Sequence, residues 1–170
     1  MPQDPCPVNL EAKRGHEAEG SLLHVYNDGG ARGNPGPAGI GGQVTDERGR
    51  VLLEVCEYLG EATNNVAEYQ ALIHVLEKAR ELGYEGVSIH TDSELLANQV
   101  TGGFRVKSMA LKPLLGTIKV LLAGFRQVEV EYIPREKNIA CDKLANRAID
   151  DGLAGVKEPI LEPGEGTLFE

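Results

Sequence analysis

Four carboxylates sit in this sequence where a fold would have to aim each of them at one place. Asp28 ends a hydrophobic, strand-like run and opens the glycine-rich stretch DGGARGNPGPAG, and Glu68 lies inside TNNVAEYQAL at the start of a helical pattern. Asp92 ends a second strand-like run in VSIHTDSELL, and Asp142 begins a last helix in ACDKLANRA. Carboxylate oxygens are hard donors, and several of them delivered from the ends of different elements suit a site for divalent magnesium or manganese. An aspartate at a strand end is by itself usually a turn or cap residue, and for Asp92, followed by a serine, that reading competes. Four such residues in matching contexts favour a metal site, and with it an enzyme that acts on phosphates.

The elements that would carry them follow from the hydrophobic pattern. Leu22 to Asn27, Ile40 to Thr45 and Val51 to Leu59 are short apolar runs suited to strands, with a turn at residues 46–50 between the second and third. Short loops joining three successive strands give an antiparallel meander. Thr63 or Asn64 can cap a helix in which Ala67, Ala71, Leu72, Val75, Leu76, Ala79 and Leu82 recur at helical spacing until Gly83 stops it. Val87 to His90 is a β-rich run, and Ser93 can cap a short helix reaching about Val100. After Gly102-Gly103 an amphipathic helix runs from about Leu111 to Leu122. Val128, Val130 and Tyr132 alternate with polar residues in a fifth strand that Pro134 ends, and the final helix begins near Asn138 or Ile139. This order predicts an α/β fold: a mixed five-stranded sheet, three antiparallel strands then two parallel, with helices on both faces. Ligands of open sheets bind beyond the carboxyl ends of strands, where Asp28 and Asp92 stand.

At 170 residues the chain is long enough for one core of ordinary size. Residues 1–20 read as a loose lead-in, 21–150 as the working domain and 151–170 as an acidic tail containing Gly and Pro. Apolar residues make up 41%, with no run long enough to span a bilayer and no charged-then-apolar leader. A soluble, cytoplasmic protein with no membrane partner is the expectation. Cys6, Cys56 and Cys141 show no C-x-x-C spacing, so free thiols are expected. The net charge of −9 argues against a nucleic-acid partner until its distribution is considered. Residues 1–20 carry −2 and residues 151–170 carry −4, leaving −3 for the stretch that holds the four carboxylates, whose charge bound cations would neutralise.

Over roughly Leu22 to Asp150 the chain resembles type I ribonuclease H. DGGARGNPGPAG is similar to that family's first-strand motif, TNNVAEYQAL to its helix with the glutamate ligand, TDSELL to its second aspartate block and REKNIACDKLANRA to its last, in the family's order. The resemblance implies an endonuclease that cuts the RNA strand of an RNA/DNA hybrid with two Mg²⁺ ions, or with Mn²⁺ as their substitute. Asp28 would bridge the ions, with Glu68, Asp92 and Asp142 completing the shells. One ion would lower the pKa of a bound water and the other stabilise the leaving 3′ oxygen, giving 5′-phosphate and 3′-hydroxyl ends. Gly29 and Gly30 would allow close backbone approach, Asn34 and Asn65 would read the minor groove with its 2′ hydroxyls, and Thr63 and Asn64 would hold a phosphate of the DNA strand.

The chain departs from the family pattern in three places. Where members often carry a histidine in the loop before the last aspartate, this loop reads PREKN, and Arg135 or Lys137 would take over part of the electrostatic role. Glu94 stands where a glutamine is common. In place of a Trp- and Lys-rich basic handle there is only GGFRVKSMALK, which implies the handle-less branch; Arg105, Lys107, Lys112 and Lys119 read either as a solvated face or as a phosphate track, the track being favoured for the first three. These departures leave room for a relative with broader substrates, such as double-stranded RNA or RNA–DNA junctions. An inactive hybrid-binding module is a further alternative, disfavoured because uncompensated carboxylates repel phosphates. His24 and His90 share strand faces with Asp28 and Asp92 and read as structural histidines. Cys141 reads as a small buried residue rather than a ligand. Leu168-Phe169 in the tail could dock to a replication protein.

Overall fold

Strand β1 (Leu22–Ala31) alternates fully buried Leu23 and Val25 with half-buried His24 and Tyr26, the pattern of a strand whose two faces meet different neighbours. The computed structural model, which describes residues 21–103 and 105–155, places β1 at the centre of a five-stranded sheet of order β3-β2-β1-β4-β5. β2 (Gly36–Thr45) and β3 (Val51–Ala62) form the antiparallel meander with β1, and β4 (Gly86–Thr91) and β5 (Gln127–Tyr132) run parallel to it. The fold is therefore the mixed sheet that the sequence predicts.

Helix α1 (Asn64–Glu81) lies on one face. It starts where Thr63 Oγ1 accepts the Val66 N–H at 3.2 Å, and it stops before Gly83, whose φ of +82° suits glycine. Its Leu72, Val75 and Leu76 are fully buried against Leu23 and Val25 of β1, Ile40 and Val44 of β2 and Val87 of β4. Each such side chain contributes roughly 1.5–3 kcal/mol by leaving water. Helix α2 (Glu94–Thr101), capped by Ser93, joins this layer through a hydrogen bond from the Tyr69 hydroxyl to Gln99, and α3 (Lys112–Leu122) buries Ile118 in the same core.

The opposite face carries α4 (Ile139–Leu153), preceded by a 3₁₀ turn at Arg135–Lys137. α4 lies across β2, β3 and β1, so helices cover both faces. Several boundaries move, β2 starting at Gly36 and β3 running on to Ala62 among them. β1 continues three residues beyond Asp28 because Gly29, Gly30 and Ala31 keep pairing with Ile40, Gly39 and Ala38, and α4 continues to Leu153, past the domain end read at residue 150. The lead-in, residues 1–20, and the Leu168-Phe169 tail lie outside the described residues. No helix among the described residues is long and apolar enough to cross a membrane.

Candidate active site

Glycines decide how close the helices come to Asp28. A Cβ on Gly29 would run into the carbonyl oxygen of Ala67 and stand 2.8 Å from the Glu68 nitrogen, so the missing side chain is what lets the first turn of α1 press on β1. On the other face Asp28 pairs with Gly41. A Cβ there would strike the Cys141 carbonyl and lie 2.7 Å from the Ala145 nitrogen, and one on Gly39 would lie 2.7 Å from the Ala145 oxygen. α4 therefore rests backbone-to-sheet, with Asp142 in its first turn. Asp92 follows directly on β4, the parallel neighbour of β1.

The result is a cavity of about 390 Å³ lined by Asp28, Gly29, Gly30, Ala31, Arg32, Asn64, Glu68, Arg135, Asp142, Ala145, Asn146 and Ile149. Asp28 is half-buried, and its carboxyl is pushed up to about 8, first by burial and then by the charges of Asp92, Asp142 and Glu68, with a hydrogen bond to Asp142. Glu68 is also raised, by burial and by Asp92, against the opposing pull of the Ser93 hydroxyl and the Arg135 guanidinium. Asp28, Glu68 and Asp142 thus line one space, and Asp92, outside that lining, stands close enough for its charge to raise both Asp28 and Glu68.

Among the described residues no three His, Cys, Asp or Glu side chains stand as a finished ligand set. The donor chemistry nonetheless fits a hard divalent cation. Burial and the neighbouring carboxylates together raise Asp28, and the part of that cost due to like charges is what a cation among them relieves.

Of the other residues singled out in the sequence, Gly29, Gly30, Asn64 and Arg135 reach the cavity. Asn34 and Asn64 tie the turn between β1 and β2 to α1: Asn34 Oδ1 accepts the Asn64 N–H at 3.0 Å, and Asn64 Oδ1 accepts the Ala31 N–H at 2.8 Å. Among the described residues their side-chain amide N–H groups have no partner. The Thr63 hydroxyl is committed to capping, and Asn65 is exposed beside it. Arg105 and Lys107 are exposed in the segment between α2 and α3, away from the cavity walls. Glu94 opens α2.

The two histidines form a chain of their own. His90 Nδ1 lies 2.8 Å from Glu131 Oε1, and His90 Nε2 faces His24 Nδ1 at 3.0 Å. A neutral His90 that donates to Glu131 must accept at Nε2, so His24 donates to it. The two rings also stack, with centroids 5.2 Å apart, so each histidine is held by its neighbours on the sheet. Cys141 is buried and its thiol pushed well above the usual range, first by burial and then by Asp28.

Three participants were missed. Arg32, in the turn after β1, lines the cavity and is clamped to α4 by Asp150 at 2.8 Å and by Asn146 Oδ1 at 3.3 Å. Ser93, read only as a cap, also bonds Glu68. Asn138, read only as a helix start, bonds Asp92 Oδ2 at 3.1 Å. Arg32 had one visible signal, a lone cation inside the glycine-rich stretch; the other two partnerships are long-range.

A family model described as reverse transcriptase-like matches residues 27–148. The chain is 39% identical over 132 residues to the Ribonuclease HI of Halobacterium salinarum, covering 78% of this chain and 66% of that protein. It is 44% identical over 127 residues to the bifunctional protein Rv2228c of Mycobacterium tuberculosis, covering 74% of this chain and 35% of the relative, so it spans about a third of that protein's length. Among solved structures, LC11-RNase H1 in complex with RNA/DNA hybrid superposes with a TM-score of 0.74 at 45% identity, over 77% of this chain and 99% of that one. With its mixed sheet and its carboxylate-lined cavity inside the matched span, the chain belongs to the type I ribonuclease H family.

Proposed function

We propose that the chain hydrolyses the RNA strand of RNA/DNA hybrids, with Asp28, Glu68, Asp92 and Asp142 as its catalytic, ion-holding residues. The observation that carries this reading is the convergence of Asp28, Glu68 and Asp142 from three separate elements on one cavity, with Asp92, at the end of a fourth, close enough for its charge to raise Asp28 and Glu68. Two divalent cations, Mg²⁺ or Mn²⁺, would be held by these residues and supply the Lewis acidity that activates a water and stabilises the leaving 3′ oxygen, leaving 5′-phosphate and 3′-hydroxyl ends. Asp28, with the other three carboxylates acting on it, is suited to the shared position. Arg135, at the cavity wall beside Glu68, offers a guanidinium to a substrate phosphate. Gly29 and Gly30 keep the floor open to a sugar-phosphate backbone, and the unspent amide groups of Asn34 and Asn64 stand at its edge. The exposed start of α1, at Thr63 and Asn65, favours a phosphate through the positive end of the helix. The hybrid bound by LC11-RNase H1 supports the choice of substrate.

Matched RNA/DNA hybrid, duplex RNA and duplex DNA, each incubated with Mg²⁺, Mn²⁺ or chelator, test the proposal. Cleavage confined to the RNA of the hybrid and dependent on either ion is expected. Absence of hybrid cleavage with both ions, or cleavage that persists in chelator, overturns it, and equal cleavage of duplex RNA replaces it with the broader-substrate reading.

A further inference from the structure

Asn138 precedes α4 at the position where an asparagine ordinarily turns its side chain back to cap the helix. It makes no such bond. Its side chain, 2% exposed, points at the sheet instead, where Nδ2 donates to the main-chain oxygen of Asn27 at 3.0 Å and to Oδ2 of Asp92 at 3.1 Å. The amide orientation is settled by these partners, since turning it over would set Oδ1 against two acceptors. The main-chain carbonyl of Asn138 meanwhile accepts the N–H of Asp142 at 3.2 Å. One residue thus binds Asp92 directly, the peptide preceding Asp28, and the backbone of Asp142. Its own Oδ1 is buried without a partner. A side chain placed for stability alone would not forgo both its cap and its acceptor.

We propose that Asn138 is a positioning residue that fixes the Asp92 carboxylate for cation binding, an inference that rests on the reading of Asp92 as an ion ligand. With Oδ2 engaged by the amide, Oδ1 is the atom left to face an ion. Partners behind a ligand set its orientation in this way, and their loss typically weakens metal affinity about 10–100-fold.

Asn138→Ala removes the side chain, and Asn138→Asp keeps its shape and main-chain carbonyl while replacing the donor with an acceptor. Titration with Mg²⁺ alone, followed by calorimetry and by the rise in melting temperature, should show half-saturation weakened about tenfold or more in both. With Asn138→Ala, the Mg²⁺ concentration that half-saturates hybrid cleavage should rise by about the same factor as Mg²⁺ affinity falls, and an unshifted Mg²⁺ dependence of cleavage overturns the inference. A purely structural role would lower the melting temperature in chelator and leave Mg²⁺ half-saturation unchanged, and that result overturns the inference. In an Asp92→Asn background, Asn138→Ala should weaken Mg²⁺ binding no further; a full additional loss overturns it as well. If neither variant folds, the wild type decides: the side-chain amide ¹⁵N resonance of Asn138 should move during Mg²⁺ titration with the midpoint of the thermal shift, and an unmoved resonance refutes the role. Wild type that neither binds Mg²⁺ nor cuts hybrid sinks the parent reading too, whereas wild type that does both, beside variants that bind Mg²⁺ equally well, sinks only the role of Asn138.

Discussion

Replacing Asp28 with Asn removes the charge at the centre of the carboxylate cluster while keeping a side-chain oxygen that can accept the Gly29 N–H, a bond of 3.0 Å. In the folded protein this carboxyl titrates at about 8 instead of 3.8, burial being the first cause and Asp92, Asp142 and Glu68 the next. A carboxyl raised in this direction favours the folded state while protonated; the contribution is fully present below 3.8 and is lost as pH rises through about 8. At about 1.36 kcal/mol per pH unit, that interval sets a ceiling of about 6 kcal/mol on the cost above pH 8. Relaxation of the partly exposed carboxylates and entry of water reduce the realised cost to on the order of 1–2 kcal/mol, the gain commonly obtained when a functional site is neutralised. At roughly 2–4 °C per kcal/mol for a chain of this size, Asp28→Asn should melt roughly 2–8 °C above wild type in chelator near pH 8.5, with the advantage shrinking toward pH 5. Mg²⁺ at ten times its Kd should stabilise the wild type by about 1.4 kcal/mol through mass action, and the variant by less. Hybrid cleavage should fall by orders of magnitude. A variant that melts no higher than wild type at either pH, or that responds equally to Mg²⁺, refutes the reasoning.

Gly41→Ala should destabilise by on the order of 1–3 kcal/mol, because the new methyl meets helix backbone that has no side chain to move aside, and should depress cleavage by lifting Asp142 away; unchanged melting and rate would show that α4 tolerates the displacement. His74 lies 3.0 Å from Glu57, whose hydrogen bond raises the imidazole while the imidazole lowers the carboxyl. The imidazole's contribution is present below 6.5 and fades as pH rises through its raised value, and the carboxyl's is present above 4.5 and fades as pH falls. The melting difference between wild type and His74→Gln should therefore peak between those values, and a difference independent of pH counts against the pair. Arg105→Ala with Lys107→Ala should weaken hybrid binding and flatten its salt dependence at unchanged maximal rate; an unaltered log–log salt slope identifies both as solvated residues.

What the sequence made legible was local. Thr63 and Ser93 cap helices three residues ahead of the N–H groups they accept from, so the caps of α1 and α2 could be placed from neighbours alone. The carboxylates stood out because each interrupts or follows a periodic run. By contrast, Asn138 acts on partners 46 and 111 residues away, and its position beside a helix start made the ordinary capping role the natural reading. β2 was read from Ile40, yet it begins at Gly36, since GPAG has no large or β-branched side chain to set a strand period and its pairing with β1 and β3 supplies what pattern cannot. The close approach at Gly39 and Gly41 depends on which helix crosses that strand, a tertiary fact with no period.

Support for the carboxylates is mostly neutral, and that choice has a physical reason. Gly29 N–H serves Asp28, the Asn138 amide serves Asp92 and the Ser93 hydroxyl serves Glu68. A lysine or arginine paired with each would orient them as well, but it would also satisfy the charge that must attract a divalent ion, and an ion would then have to displace it. Neutral donors fix direction and leave the field intact, at the cost of burial and like-charge repulsion that raise the Asp28 carboxyl in the free protein. Cations are accordingly kept at the margin: Arg32 is tied to Asp150, and Arg135 reaches the wall from a three-residue turn. On this logic a site that favours cation binding over its own stability needs glycine to bring its elements close and amides to aim its ligands, and the sequence spends residues on both.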